Sequence, residues 1–129
     1  MEENGTQTFQ EAWDERIPLL EAALERSGGA YGVSDVHDLV CDGLAHFEPL
    51  EKGVAIFLFQ DYPQRRFLRI WLAGGKLPGN IDKVLDVADD HAKRLKCDGI
   101  EVEGRRGWEK ILKSRGYNYK RAVLIKDID

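Results

Sequence analysis

The chain has 129 residues, 43% hydrophobic and 33% charged, with a formal net charge of −4. That is one domain's worth of chain, long enough to bury a core without metal or disulfide staples and too apolar to be wholly disordered. No apolar run approaches the ~18 residues of a membrane helix, and the acidic, polar start Met1–Gly5 is not a signal peptide. The expectation is a soluble, intracellular protein with no membrane partner. The two cysteines, Cys41 and Cys97, lie far apart and beside apolar residues. They read as reduced, buried small hydrophobes.

Residues 1–7 read as a flexible tail and 8–129 as a single domain. Thr8 and Glu11 fit a capping box opening a helix. Trp13, Ile17, Leu20, Ala23 and Leu24 share its apolar face, Pro18 should kink or split it, and Ser27-Gly28-Gly29 stops it. Ser34 suits the cap of a short second helix over 35–41. The period then changes. Residues 45–50 suit a first strand, and the apolar run Val54–Gln60 suits a strand buried on both faces. A turn at 61–64 leads to a further strand over 67–73, making an antiparallel hairpin. The glycine-rich loop 74–80 ends at Asn80, a cap for the best helix of the chain, 81–96. Its apolar side is Ile81, Val84, Leu85, Ala88, Ala92 and Leu95. A strand at 100–103, a helix at 108–114 closed by Gly116, and a last strand from about Tyr119 to Ile125 complete the order α-α-β-β-β-α-β-α-β. The crossover through helix 81–96 implies a parallel strand pair in an otherwise antiparallel sheet. The fold class is mixed α/β, a twisted sheet with helices on both faces. Ile56, Leu58, Ile70, Leu72, Leu85, Ala88, Val102 and Trp108 are expected to share one core.

This order resembles the GNAT (GCN5-related N-acetyltransferase) fold from Phe9 onward, most specifically over 66–125, where Gly116-Tyr117 matches the family's Gly-aromatic pair. The phrases Asp61-Tyr62-Pro63, Leu72-Ala73-Gly74-Gly75, Gly104-Arg105-Arg106-Gly107-Trp108 and Val123-Leu124-Ile125-Lys126 resemble small GNAT-like proteins of bacteriophages and prophages, often encoded among virion-assembly genes. The resemblance implies a protein of the bacterial cytoplasm or of a phage particle.

The family resemblance also implies where acetyl-CoA would bind. The pyrophosphate would meet the 74–80 loop, with Gly75, Lys76, Gly79 and Asn80 as its cofactor-binding residues. Gly75 and Gly79 stand four apart where the family pattern has two, and Pro78 removes one N–H donor. Many members place a tyrosine proton donor four residues before the Gly of the Gly-aromatic pair. Leu112 occupies that slot here. Glu101 and Glu103, alternating with Val102 on one strand face, are the candidate general bases, though a solvent-facing strand edge is the favoured explanation for them. His37, His46 and His91 show no metal-ligand spacing, so no metal is expected. Asp86, Asp89 and Asp90 read as a solvated helix face.

Charge is uneven. Residues 1–60 hold 12 acids and 3 bases, residues 61–129 hold 11 acids and 16 bases, and attraction between the halves is the simplest reading. Arg105 and Arg106 sit at a helix N-terminus, unfavourable for cations unless an anion or a partner's acidic surface joins them. Three functions follow. The first is a catalytically degenerate GNAT-like scaffold acting through contacts with other virion proteins or with itself. The second is an acetyl-CoA-dependent N-acyltransferase with an atypical phosphate loop. The third, disfavoured by a pI of about 5.4, is nucleic-acid binding through the basic, aromatic segment 105–121.

Overall fold

In the computed structural model, which describes residues 7–76, 81–103, 106–121 and 123–128, helix α1 spans Phe9–Arg26. Thr8 accepts from the Glu11 N–H at 3.1 Å while the Glu11 carboxylate takes the Thr8 N–H at 2.9 Å, completing the capping box. Pro18 does not split the helix into two elements. It is exposed, as is Asp14 one turn before it, so the ring and the carbonyl it leaves unpaired face water. Burial of Trp13, Leu20, Ala23 and Leu24 on the opposite side holds both halves to the sheet. Helix α2, Val33–Cys41, starts earlier than the Ser34 cap implied. Gly32 is the N-cap residue, and Asp35 accepts its N–H at 2.8 Å.

The strands are β1 (Ala45–Leu50), β2 (Gly53–Asp61), β3 (Arg66–Gly75) and β4 (Gly99–Val102). They lie in the order β1-β2-β3-β4, with β1–β2 and β2–β3 antiparallel and β3–β4 parallel. The crossover is helix α3, Ile81–Arg94. A 3₁₀ turn over Arg106–Trp108 leads into helix α4, Glu109–Ser114. Asp98 ties the two parallel strands together, its carboxylate and its N–H both bonded to the Arg66 backbone, at 2.7 and 2.6 Å.

The sheet divides the expected single core in two. Phe57, Leu68 and Ile70 face α3 and α4 with Leu85, Ala88 and Leu112, and Val102 and Trp108 pack at the margin. Ile56 and Leu72 face α1 and α2 with Trp13, Leu20 and Val36, and Leu58 packs against them. Alternation along β2 puts Ile56 and Phe57 on opposite faces, and a bulge in β3 does the same for Ile70 and Leu72. Ile56 pairs with Leu72 and Phe57 with Ile70, leaving Trp71 as the extra residue. One added residue in a period-2 element moves every later side chain to the other face.

The last expected strand is not formed. Among the described residues, 117–128 belong to no ladder, and Val123, Leu124 and Ile125 are exposed. A further strand would have to pair at a sheet edge, and the short edge strand β4 is laddered with β3 alone. Cys41 is exposed rather than buried, because the apolar side of α2 runs through Val36, Leu39 and Val40. Both cysteines are free.

Candidate active site

The parallel ladder stops at Ile70↔Val102, yet β3 continues to Gly75. β4 ends at Val102, so β3 runs on past the Trp71 bulge with no ladder on that side among the described residues. The gap opens into a cavity of about 1580 Å³, walled by β3, β4, the end of α1, α4 and the segment after it. A strand that outruns its parallel neighbour leaves backbone amides without a ladder partner, and such an edge accepts an extended, amide-bearing ligand.

Glu101 lies on this cavity with a side chain only 16% exposed. Tyr62 donates its hydroxyl to Glu101 Oε2 at 2.9 Å, and Arg121 Nη2 reaches the same oxygen at 2.5 Å. Arg121 comes from the segment after α4 and is itself 64% exposed. Hydrogen bonds to Tyr62 and Glu101 raise its pKa further above the usual guanidinium value. Glu103 pairs with Arg69 and is largely exposed. The structure thus separates the two carboxylates that the sequence offered together: Glu101 is held inside the cavity, Glu103 sits at its rim.

Tyr117, the aromatic member of the Gly116-Tyr117 pair, also lines the cavity. Its hydroxyl is buried without a hydrogen-bond partner among the described residues. Burial first, and the nearby Asp89 carboxylate second, push its pKa up to about 12. Leu112 is 8% exposed and sits in the core beneath α4. The slot of the family's tyrosine is therefore a packing position, and the phenol nearest to that role is one turn further on.

At the far end of the gap, Arg26 from the last turn of α1 donates to the Ala73 carbonyl at 3.3 Å and lines the cavity. It brings a guanidinium to the end of β3, near Gly75 and Lys76. Gly75 has φ +96°, and Lys76 donates its N–H to the Lys52 carbonyl at 3.0 Å. The expected partners Gly79, Asn80 and Arg105 lie outside the described residues, and of Arg106 only its place in the 3₁₀ turn is described. Sequence reasoning missed Arg26, Tyr62, Tyr117 and Arg121. Tyr117 carried a signal in the Gly-aromatic pair and Arg121 one in the basic segment 105–121, though neither was assigned to this site; Arg26 and Tyr62 come from a helix end and a turn far away in the chain.

The acidic stripe of α3 is not merely solvated. Arg115 bonds Asp82 at 3.0 Å and Asp86, and approaches Asp89 at 3.6 Å. Arg69, Arg115 and Arg121 are thus spent on carboxylates of their own half of the chain rather than on the acidic half. Within 105–121, Arg115 and Arg121 are engaged in this way, as is Lys113, which pairs with Glu109 at 3.0 Å.

No protein-family model matches the chain, and no curated protein matches it. Solved structures do. A probable acetyltransferase superposes with a TM-score of 0.71 at 13% identity, over 96% of this chain and 98% of that one. A ribosomal-protein-alanine N-acetyltransferase of Brucella melitensis biovar Abortus 2308 gives 0.64 at 14%, over 92% and 94%. A predicted acetyltransferase of Clostridium acetobutylicum, solved with acetyl-CoA, gives 0.62 at 15%, over 88% and 90%. At such identities the likeness is one of fold. The chain has the mixed α/β GNAT fold, and these structures lend nothing to the resemblance to phage proteins. No helix among the described residues is long and apolar enough to cross a membrane.

Proposed function

We propose that the protein is an acyl-CoA-dependent N-acyltransferase, the second of the three functions that the sequence suggested. The observation that carries this is the cavity in the β3–β4 gap, which gathers a held carboxylate, an unpartnered phenol of pKa about 12 and a terminal guanidinium. The pantetheine arm of a CoA thioester is extended and carries amides, which suits the unladdered stretch of β3. Arg26 and Lys76 supply positive charge at the end where the phosphates would lie. Most of the rate enhancement would come from holding amine and thioester together.

In this reading Glu101 accepts the proton released as the amine nitrogen attacks the thioester carbonyl. Arg121, exposed and attached to a segment without ladder bonds, gives way to the incoming ammonium group, which first loses one proton to water to become the neutral amine that attacks. The carbon–sulfur bond then breaks, and Tyr117, fully protonated at neutral pH, donates to the departing thiolate. An amide and free CoA thiol result, and the proton on Glu101 passes to solvent as Tyr117 is reprotonated.

The test is release of CoA thiol from acetyl-CoA across a panel of primary amines, with Cys41→Ser to remove the exposed thiol from the readout. Loss of a general acid or base typically costs about 10²–10⁴-fold in rate. Glu101→Gln and Tyr117→Phe should each fall in that range in kcat while keeping CoA affinity. Wild-type turnover that survives both substitutions contradicts the assignment.

A second reading, the degenerate scaffold, is favoured by Leu112, whose burial closes the usual acid position. The resemblance to phage proteins would then imply a role in virion assembly. It becomes the better account if the wild type binds no CoA.

A further inference from the structure

On the face of the sheet opposite α1, two neighbouring residues of β1 meet a third from far along the chain. His46 and Glu48 alternate on β1, and His91 comes from the second half of α3. His46 Nε2 lies 2.8 Å from Glu48 Oε1, and the two imidazole rings are 4.3 Å apart. One ligand atom from each of the three lies within 4.8 Å of the others, and all three residues are half-buried. Beneath them is Phe57, fully buried, stacked on His46 at 5.7 Å and edge-on to His91 at 5.9 Å. An apolar floor of this kind fixes ring orientation and lowers the local dielectric, as it does around metal centres.

We propose that His46, Glu48 and His91 form a site for a divalent transition metal of the zinc type, clamping edge strand β1 to α3. Two imidazoles and one carboxylate are a recognised zinc ligand set, and they disfavour magnesium or calcium, which take oxygen ligands. Zinc bonds of about 2.0–2.2 Å place tetrahedral ligand atoms about 3.4 Å apart. The existing 2.8 Å contact must therefore widen and the longest separation must close, changes within the reach of side-chain rotation. Solvent access leaves the fourth position to water or an exchangeable ligand. The clamp has a structural purpose, because α3 packs chiefly on β3 and β4, at the other side of the sheet. One feature opposes loading: Arg94, one turn from His91, reaches His91 Nδ1 at 2.7 Å. Arg94 is exposed and turns out to solvent when the cation enters.

The experiment uses the full chain, stripped with chelator and titrated with Zn²⁺ by calorimetry and with Co²⁺ by visible absorption. The expected result is one metal per chain, a tetrahedral cobalt spectrum and a raised Tm on loading. His91→Ala and Glu48→Gln should each weaken binding by more than about tenfold, while Arg94→Ala should tighten it. The control is the exposed His37–Cys41 pair of α2, whose sulfur and ring nitrogen are 3.7 Å apart. Cys41→Ser should change nothing. Stoichiometry lost in Cys41→Ser but kept in His91→Ala overturns the proposal, as does the absence of wild-type binding at millimolar Zn²⁺. Melting in chelator checks that His91→Ala is folded. Should it not be, Glu48→Gln and the wild-type cobalt spectrum decide.

Discussion

Gly75 is where β3 hands over to the loop that leads to α3, and replacing it with alanine strains two things at once. Its φ of +96° is a conformation that L side chains rarely adopt. An added Cβ would also stand 2.2 Å from the Lys52 carbonyl oxygen and 2.7 Å from the Gly53 Cα. Ordinary carbon–oxygen contacts are about 3.3–3.6 Å, so the ends of β2 and β3 must separate by about 1 Å. Backbone on both sides gives no flexible side chain to absorb this. The Lys76 N–H to Lys52 carbonyl bond at 3.0 Å is then lost. The backbone strain costs about 1–2 kcal/mol and the lost hydrogen bond about 0.5–1.5 kcal/mol, giving about 2–4 kcal/mol for Gly75→Ala with the contact strain included. Gly43 supplies the comparison. Its φ is +77°, and an added Cβ meets nothing within 4 Å. Gly43→Ala should therefore cost only the backbone share, about 1–2 kcal/mol. Urea unfolding followed by tryptophan fluorescence gives both values from the midpoint and slope. Equal losses in the two variants would refute the close approach of Gly75 to the β1–β2 turn.

Phe57→Ala should cost about 3–5 kcal/mol in the same assay, since Phe57 is completely buried between the sheet and α3; Tyr119→Ala, at a side chain 74% exposed, should stay within about 0.5 kcal/mol. Thr8→Ala removes one half of the α1 capping box and should cost about 0.5–2 kcal/mol. Ultraviolet titration of the four tyrosines should show one phenol ionising near pH 12, the value to which Tyr117 is pushed, and Tyr117→Phe should delete that step. An unfolded tyrosine ionises near pH 10. Between about pH 10 and 12 the unfolded chain therefore releases a proton that folded Tyr117 keeps. The stability linked to this group is complete below pH 10 and is lost as pH rises through 12. A variant with an unchanged titration curve would place the raised pKa elsewhere.

Periodicity carried the fold as far as local pattern can. Helix α3, the capping box of α1 and the β2–β3 hairpin are each written in a short window. The phenomena that escaped are the ones that need a partner from elsewhere. The Trp71 bulge puts Ile70 and Leu72 on opposite faces, and nothing in the run of apolar residues announces it. The segment 119–125 has the composition of a strand, but β4 is only four residues long and meets it through Arg121 rather than through a ladder. Glu101 was visible as a carboxylate on a strand; Tyr62 and Arg121, which hold it, come from a turn and a terminal segment. The His46–Glu48–His91 cluster was invisible for the same reason. His46 and Glu48 share β1, and only the packing of α3 on the sheet brings His91 to them.

Calorimetric titration of the full-length protein with acetyl-CoA, and in parallel with CoA, tests the central claim most directly. The account predicts micromolar binding of both, weakened several-fold by Arg26→Ala through the lost phosphate contact. No heat at millimolar ligand would contradict it, and the cavity between β3 and β4 would then belong to a GNAT-fold scaffold rather than to an acyltransferase.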